Sequence, residues 1–235
     1  MVLTGSKTNA YFVDVRLDLD YFGPKNSDAE DALKHLQWAF AGRSRTTSET
    51  KDEHGNRLSY HCVWDHWIDS KSDSPDVDEG DMLPQNDGTV LEQGSMRDPA
   101  TGQLVQYEEL WEDLDVDPIG SKGKRSSIVV KTEDSGAGTR GLVIKVGGFC
   151  QGILKHDGAF TVERWKKESP SASPECAASV EATRTRNDWI RIFRTGQGVL
   201  PCEAICSRTD GKFGSNIILK DEQEISWRVV EEYYY

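Results

Sequence analysis

The chain has little positive charge and no long apolar run. Lysine and arginine together number 28 against 40 aspartate and glutamate residues, which gives a formal net charge of -12 over 235 residues. Nucleic acids and anionic lipids both bind clustered basic side chains, so neither is expected as a partner. No apolar segment approaches the roughly 18 residues that a membrane-spanning helix needs, so we expect no membrane span.

Motifs for metal-dependent or nucleophilic catalysis are also missing. There is no nucleophile elbow, no P-loop and no paired-histidine zinc motif, so hydrolysis, phosphoryl transfer and zinc proteolysis have no support. The five cysteines are odd in number and irregularly spaced, and no Asn-x-Ser/Thr sequon occurs. This pattern predicts free thiols in a reducing compartment, the cytoplasm. Because the motifs above are missing, we expect neither a metal nor a cofactor. The cysteines are Cys62, Cys150, Cys176, Cys202 and Cys206.

The sequence does contain a hydrophobic period of two. Apolar and polar residues alternate through 11–19, 36–41, 58–68 and 107–111, which is typical of half-buried antiparallel strands. Helix signals are weak, with one short candidate at 28–35. The chain is therefore predicted to be all-β with few short helices. Further strands are predicted at 126–131, 141–146, 149–155, 160–165, 189–194, 217–220 and 225–230.

A break at 115–125 divides the predicted strands into two groups. It contains Pro118, Gly120 and Gly123 and changes from acidic to basic. We place the domains at 1–120 and 121–235, with a further Ser/Pro-rich loop at 169–174. Meandering strands with regular turns favour barrels, because closure removes unpaired sheet edges. Two small antiparallel β-barrels in tandem are the predicted architecture.

Two motif-like segments favour structural interpretations. Residues 136–141 match G-x-G-x-x-G, but a strand follows instead of the helix that a dinucleotide site requires, so a hairpin loop is predicted. The acidic run at 76–81 lacks the ligand spacing of an EF-hand. It is predicted to be a solvated loop.

The segment at 60–69 is the richest in side chains that can carry chemistry. Alternation places Tyr60, Trp64, His66 and Ile68 on one face. That face is either barrel core or the wall of a ligand cavity. A lone inward histidine is more often a satisfied core residue, yet it is also the side chain best able to transfer a proton near neutral pH.

An ordered series of short segments resembles one protein family. In order, these segments resemble the fungal Hrr-interacting (HRI-type) protein family over nearly the whole chain. The resemblance implies two lipocalin-like β-barrels in tandem, which agrees with the strand pattern. The segments are Trp38–Gly42, His66–Ser70, Asp78–Asp81, Asp87–Gly94, Asp98–Gly102, Tyr107–Trp111, Ser127–Lys131, Gly141–Ile144 and Gln151–Gly152.

The resemblance also implies a function, because relatives from fungal tropolone–sesquiterpene gene clusters are hetero-Diels–Alderases. They dehydrate a hydroxymethyl tropolone or phenol to an o-quinone methide and guide its cycloaddition onto a humulene alkene. For such a cofactor-independent pericyclase we expect His66 as the acid, and Glu109 as the second candidate. Arg16 or Arg164 would hold the tropolone oxygens. The aromatic wall for the two small hydrophobic substrates would be formed by Trp38, Tyr60, Trp64, Tyr107 and Trp111.

A non-catalytic function fits the same residues. On this hypothesis both barrels are filled, and the acidic surface binds a basic protein partner, such as the kinase that the family name implies. An open cavity of roughly several hundred Å³ would favour catalysis or ligand carriage, whereas a filled core would favour the partner.

Chelation is expected to leave the protein unchanged. Because the sequence shows no complete set of metal ligands, EDTA at neutral pH should not shift the midpoint of thermal unfolding. Circular dichroism melts with and without EDTA test this. A lowered midpoint would show that the acidic run at 76–81 binds calcium.

Overall fold

The computed structural model of the chain describes residues 1–6, 8–22, 32–73, 77–97, 101–116, 126–134, 138–168, 185, 187–208, 218–220 and 225–234. Several sequence predictions fall outside these ranges. They are the loop at 169–174, most of the break at 115–125, the beginning of the candidate helix at 28–35, and parts of the segments at 76–81 and 136–141.

The described strands form two antiparallel seven-stranded sheets. The first is a meander of β1 (Val2–Thr4), β2 (Tyr11–Leu17), β3 (Leu36–Lys51), β4 (Arg57–Asp69), β5 (Asp78–Pro84), β6 (Val90–Arg97) and β7 (Leu104–Trp111). The second contains β8 (Ser126–Asp134), β9 (Thr139–Val146), β10 (Phe149–His156), β11 (Ala159–Lys167), β12 (Trp189–Thr195), β13 (Ile218–Lys220) and β14 (Ser226–Tyr234). Its strand order is β12-β11-β10-β9-β8-β14-β13.

Helical structure within the described ranges is short. It comprises 3-10 turns at Leu19–Phe22 and Leu33–His35 and the helix α1 (Cys202–Ser207). The all-β class with few short helices is confirmed. Closure of each sheet into a barrel and the division into 1–120 and 121–235 stay predictions. None of the described helices has the length and apolar composition to cross a membrane.

The first sheet is strongly curled. Arg16 on β2 forms an ion pair with Glu109 on β7, although five strand spacings separate these strands in the sheet order. In a flat sheet that separation would be about 24 Å, because neighbouring strands lie about 4.8 Å apart. The inward face of β2 therefore looks across an interior toward β7.

The two sheets pack on each other through strands that are buried on both faces. Val13 and Val15 of β2 cluster with Leu142, Ile144 and Ile153 of β9 and β10, and all five are 0% exposed. The alternate residues of these strands point the other way, into the space enclosed by the concave face of their own curled sheet, which we call its interior. Burial on both sides explains why 128–130 and 142–144 are continuous apolar runs.

Two buried polar side chains hydrogen-bond the sheets together. Gln151 on β10 donates to the carbonyl oxygens of Met1 and Val13. Arg164 on β11 donates to the carbonyl oxygen of Val15 and to Gln151 Oε1. Burial lowers the pKa of Arg164 to about 10, which leaves it charged at neutral pH. Arg164 therefore stabilises the packing of the sheets and lies outside the interior of the first sheet.

The acidic run contributes to a strand. Residues 78–81 begin β5 and pair with both β4 and β6. Gly80 and Met82 are buried while Glu79 and Asp81 are exposed, which is the alternation of a half-buried strand. The predicted loop is wrong for 78–81, because pairing on both sides satisfies the backbone and the carboxylates need only one solvated face.

A β-bulge in β4 decides which of its residues face inward. Gly42 of β3 pairs with His66 while the residue before it pairs with Ile68, so Trp67 is an extra residue. Ile68 consequently packs between the sheets, whereas His66 and Asp69 share the inward face. The predicted common face of His66 and Ile68 is wrong, because alternation does not continue through a bulge.

Replacing Gly42 with alanine is expected to be strongly destabilising. A Cβ atom there would lie 1.8 Å from the carbonyl oxygen of Asp65, in the backbone of the bulged strand. We expect the free energy of unfolding in urea to fall by about 2–4 kcal/mol. Gly148→Ala is the matched control, because the nearest atom to its Cβ would be 3.7 Å away. Equal losses in the two variants would contradict this prediction.

Candidate functional site

His66 is held between two carboxylates inside the first sheet. Its Nδ1 lies 2.7 Å from Asp69 Oδ2, its Nε2 lies 3.0 Å from Asp78 Oδ2, and its side chain is 1% exposed. The imidazole stacks on Phe40 with 4.2 Å between ring centroids and meets Trp38 edge-on at 5.6 Å. Both ring nitrogens carry hydrogen in the protonated imidazole, so two flanking carboxylates favour that form.

Asp69 fixes the orientation of this histidine. Its Oδ1 accepts hydrogen bonds from Trp38 Nε1 at 3.1 Å and from the backbone N–H groups of Lys71 at 2.7 Å and Ser72 at 3.1 Å. Burial alone would raise the pKa of Asp69, but the hydrogen bonds, that of His66 foremost, outweigh burial and lower it. Asp69 is therefore a fixed anion behind the imidazole.

The other carboxylate gives the histidine access to solvent. Burial alone would lower the pKa of His66, but its hydrogen bonds to Asp69 and Asp78 outweigh burial and raise it. The Asp78 side chain is 20% exposed, whereas those of His66 and Asp69 are 1% exposed. Asp78 therefore lies between the buried imidazole, at its Nε2, and the solvent.

A second charged cluster joins β2 to β7. Arg16 Nε donates to Asp14 Oδ2 at 2.8 Å, and Nη1 donates to Glu109 Oε1. The guanidinium carbon lies 5.3 Å from the ring centroids of both Trp38 and Phe40. Burial opposes the charge of Arg16, but the two carboxylates raise its pKa, while burial raises the pKa of Glu109. Arg16 is thus engaged by the protein's own carboxylates.

Another buried acid, Glu92, forms hydrogen bonds with two aromatic side chains. Its Oε1 accepts the Tyr107 hydroxyl and its Oε2 accepts Trp111 Nε1, both at 2.7 Å. Burial raises the pKa of Glu92, and the two donors offset part of that effect. Gly94 makes room for the phenol, because a Cβ there would lie 2.4 Å from the Tyr107 oxygen.

A cavity of about 890 Å³ lies beside these clusters. Trp38, His66, Asp69, Asp78 and Tyr107 belong to its lining. Its volume is within the range of small-molecule sites, and its wall combines aromatic surface with the hydrogen-bonded pair of His66 and Asp78. The lining also continues onto outward-facing polar side chains of the first sheet, His61, Glu79, Asp81 and Glu108.

The structure brings most of the predicted site residues into the interior of the first sheet. His66, Trp38 and Tyr107 line the cavity, and the others lie in the two charged clusters behind it. These others are Arg16, Glu109 and Trp111.

Three predicted site residues are placed elsewhere. Tyr60 and Trp64 are half-buried on β4 and are not part of the cavity lining. The guanidinium of Arg57 lies over the Tyr60 ring at 4.8 Å. Arg164 lies between the sheets, bonded to the backbone of β2.

Among the carboxylates that bind His66, Tyr107 and Trp111, sequence reasoning missed Asp69, Asp78 and Glu92. Strict alternation puts residues 66 and 69 on opposite faces, so only the bulge reveals Asp69. Asp78 was not predicted as a site residue because the acidic run that contains it was assigned to a loop. The sequence does contain a signal for Glu92. It lies two residues before Gly94, on the same face of β6, and these two residues pair with Glu109 and Tyr107 of β7.

Among the side chains that the structure describes, no group of three or more His, Cys, Asp or Glu residues is arranged to hold a metal ion.

Comparisons with known proteins support the fold. A family model described as Protein HRI1 matches residues 1–231. The crystal structure of the uncharacterized protein YLR301w from Saccharomyces cerevisiae is similar, with a TM-score of 0.63 and 16% identity over 99% of this chain and 91% of that chain. At this identity the likeness shows a shared fold alone. No curated protein matches the sequence.

The stabilisation that His66 provides is expected to be lost at alkaline pH. Its pKa in the folded protein is raised above the ordinary value of 6.5, so its contribution is complete below that value and disappears as pH rises through the folded pKa. Urea unfolding of wild type and His66→Gln from about pH 5.5 to about pH 9 should show a free-energy difference that shrinks with rising pH.

The matched control is His54→Gln, because the His54 side chain is 75% exposed on a turn. This variant should differ little from wild type throughout the same range. A His66→Gln difference that stays constant with pH would contradict the assigned ion pairs.

Proposed function

The chain belongs to the HRI1 family, and we propose that the first-sheet cavity binds small organic substrates and catalyses a cofactor-independent hetero-Diels–Alder reaction. A hydroxymethyl tropolone or phenol loses water to give an o-quinone methide, which adds to a humulene-type alkene. Family membership alone does not specify this reaction. Its support comes from the interior of the first sheet.

The observation that carries the proposal is the His66–Asp78 pair at the wall of a cavity of about 890 Å³. Loss of water from a hydroxymethyl group requires a proton on the departing oxygen, which is the task of a general acid. Hydrogen bonds to Asp69 and Asp78 raise the pKa of His66 and so favour its protonated form, and Asp69 holds the other ring nitrogen.

The dehydration balances within the substrate and this pair. The exocyclic carbon–oxygen bond breaks as Asp78, supplied by His66, passes a proton to the departing hydroxyl, which leaves as water. The ring hydroxyl returns a proton to the same pair, so the protein regains its starting protonation state. The cycloaddition then forms one carbon–carbon and one carbon–oxygen bond without proton transfer.

The aromatic wall would set the orientation of the two reactants. Trp38 is fixed by its hydrogen bond to Asp69, and Tyr107 by its bond to Glu92. Because these rings are held before any ligand arrives, little order is lost on binding. Holding two reactants in a near-attack geometry contributes on the order of 7–11 kcal/mol to a bimolecular reaction.

The charged residues behind the wall act by positioning it. Arg16 is bound to Asp14 and Glu109, and Arg164 to the interface between the sheets. The mechanism therefore routes no substrate contact through either guanidinium, and Glu109 serves to hold Arg16 beneath the rings.

Binding of a basic protein partner is the second candidate function. On the outward face of β5, the side chains of Glu79 and Asp81 are 55% and 67% exposed and flank His61. Such a surface attracts basic segments. This function needs no turnover, so an activity assay separates the two candidates.

Loss of the proton donor should slow the reaction more than it changes the product. His66→Ala is expected to lower the rate of o-quinone methide formation by roughly 10²–10⁴-fold, because general acid help is removed. The assay supplies a hydroxymethyl tropolone and a humulenol and compares rate and product ratio with the background lacking protein. His54→Ala is the matched control.

Asp78→Asn should reduce the rate together with His66→Ala, because the two groups form one proton path. Wild-type rates in both variants would remove the pair from the mechanism. No acceleration by the wild-type protein with any o-quinone methide precursor would overturn the proposal in favour of the basic partner.

A further inference from the structure

One basic side chain of the cavity lining, Lys71, has no hydrogen-bond acceptor for its charge among the described residues. Its ammonium lies over the indole of Trp38, 4.5 Å from the ring centroid. The other basic side chains of the described lining are each in contact with acceptors of the protein itself. His66 lies between Asp69 and Asp78, His61 lies between Asp81 and Glu79, and Arg97 donates to the carbonyl oxygen of Gly102.

The backbone that carries Lys71 is fixed where β4 ends. The Lys71 N–H group donates to Asp69 Oδ1 at 2.7 Å. The residue before it, Ser70, donates its N–H to the carbonyl oxygen of Ala39 at 2.9 Å, and its hydroxyl accepts the Ala39 N–H at 3.0 Å. Trp38 is bound to the same carboxylate through its indole nitrogen. The ammonium and the ring beneath it are therefore both positioned by Asp69 before any ligand arrives.

The charge of Lys71 is only partly compensated by the protein. Burial lowers the pKa of Lys71, and the nearby charge of Asp69 does not restore it, because the charge of Arg16 acts in the opposite direction. Both oxygens of Asp69 are already occupied by hydrogen bonds, from His66 on one side and from Trp38 and the backbone on the other. An anion bound at the ammonium would supply the missing compensation, since an adjacent opposite charge favours the charged form.

We propose that Lys71 is the anion-binding residue of the cavity, and that its ligand is a planar ring with an ionised oxygen, such as a tropolonate, a phenolate or an aryl carboxylate. This inference rests on the proposed function. The ammonium donates a charge-assisted hydrogen bond to the ring oxygen, and Trp38 and Tyr107 provide aromatic surface in the same lining. Lys71 thereby takes the contact that the sequence analysis expected of Arg16 or Arg164, both of which bind groups of the protein.

In the proposed dehydration, this contact acts on the ring hydroxyl. The hydroxyl gives its proton to the pair of His66 and Asp78, which protonates the departing hydroxyl group. Lys71 stabilises the anionic ring oxygen until the exocyclic carbon–oxygen bond breaks, when that oxygen becomes the neutral carbonyl of the o-quinone methide. The ammonium keeps all its protons throughout, so the proton balance of the reaction is unchanged.

Lys131 offers a matched control, because it is a second lysine that lies over an indole. Its ammonium is 4.0 Å from the Trp67 ring centroid and 2.9 Å from Glu133 Oε2. Lys131 is not part of the cavity lining. The variant Lys131→Met therefore removes the same kind of contact without changing the cavity.

The test measures binding to the full-length protein by isothermal titration calorimetry, without any turnover. The two probes are sodium tropolonate and tropone, a neutral ring of the same size that lacks the hydroxyl group. Lys71→Met should weaken tropolonate binding by roughly 10- to 100-fold, because a charge-assisted hydrogen bond is lost, and should leave tropone binding unchanged. Lys71→Arg should retain tropolonate binding, and Lys131→Met should bind both probes as wild type does.

Chemical labelling of the wild-type protein gives a second measurement that does not depend on the folding of a variant. Lys71 is exposed, so N-hydroxysuccinimidyl acetate can acetylate its amine, and mass spectrometry can quantify the product. Tropolonate should protect Lys71 from acetylation and tropone should not. Labelling of Lys131 should be the same with either probe.

Equal weakening of both probes in Lys71→Met would overturn the inference, because it would show that the side chain only supports the wall. Wild-type affinity of this variant for tropolonate, or no binding of tropolonate by the wild-type protein, would overturn it as well. Binding of tropolonate that depends on Lys71, without faster formation of the o-quinone methide, would overturn the proposed reaction and support the anion site. A wild-type reaction rate in Lys71→Met would overturn the anion site alone.

Discussion

The structure depends on one strand, β2, being the wall shared by both sheets. Val13 and Val15 pack against the second sheet, while Asp14 and Arg16 face the first interior. A strand covered on both faces cannot shift its register by one residue without placing a charge in the apolar contact. The same register brings Arg16 opposite Glu109, so the packing of the sheets also sets the position of the charged cluster.

Within the first interior, every buried charge that forms the site is matched by opposite charge or hydrogen bonds. Uncompensated burial of a carboxylate or an imidazolium is costly, and removing one partner of a buried pair commonly destabilises by about 3–5 kcal/mol. Asp69 satisfies this condition with bonds to His66 and Trp38 and to two backbone N–H groups. Asp78 is more exposed than its partner, with 20% of its side chain exposed against 1% for His66.

The two interiors are built from the same kind of sheet but contain different chemistry. The first contains carboxylates and an imidazole, and some of its side chains line the cavity. The second is filled by Trp165, Trp189 and Trp227, each at most 1% exposed, and by the thiols of α1.

The sequence by itself determined the all-β class, because residues alternate with a period of two along most strands, and it identified His66, Trp38 and Tyr107 as inward side chains. The tertiary structure alone decided the partners of these residues. Alternation specifies two faces for each strand, but it cannot show where an extra residue such as Trp67 reverses them. Nor can alternation show which face of a strand packs against another sheet. Arg164 contacts the backbone of β2 between the sheets, and Arg16 contacts Glu109. Both contacts join residues far apart in the chain, so only the tertiary structure reveals them.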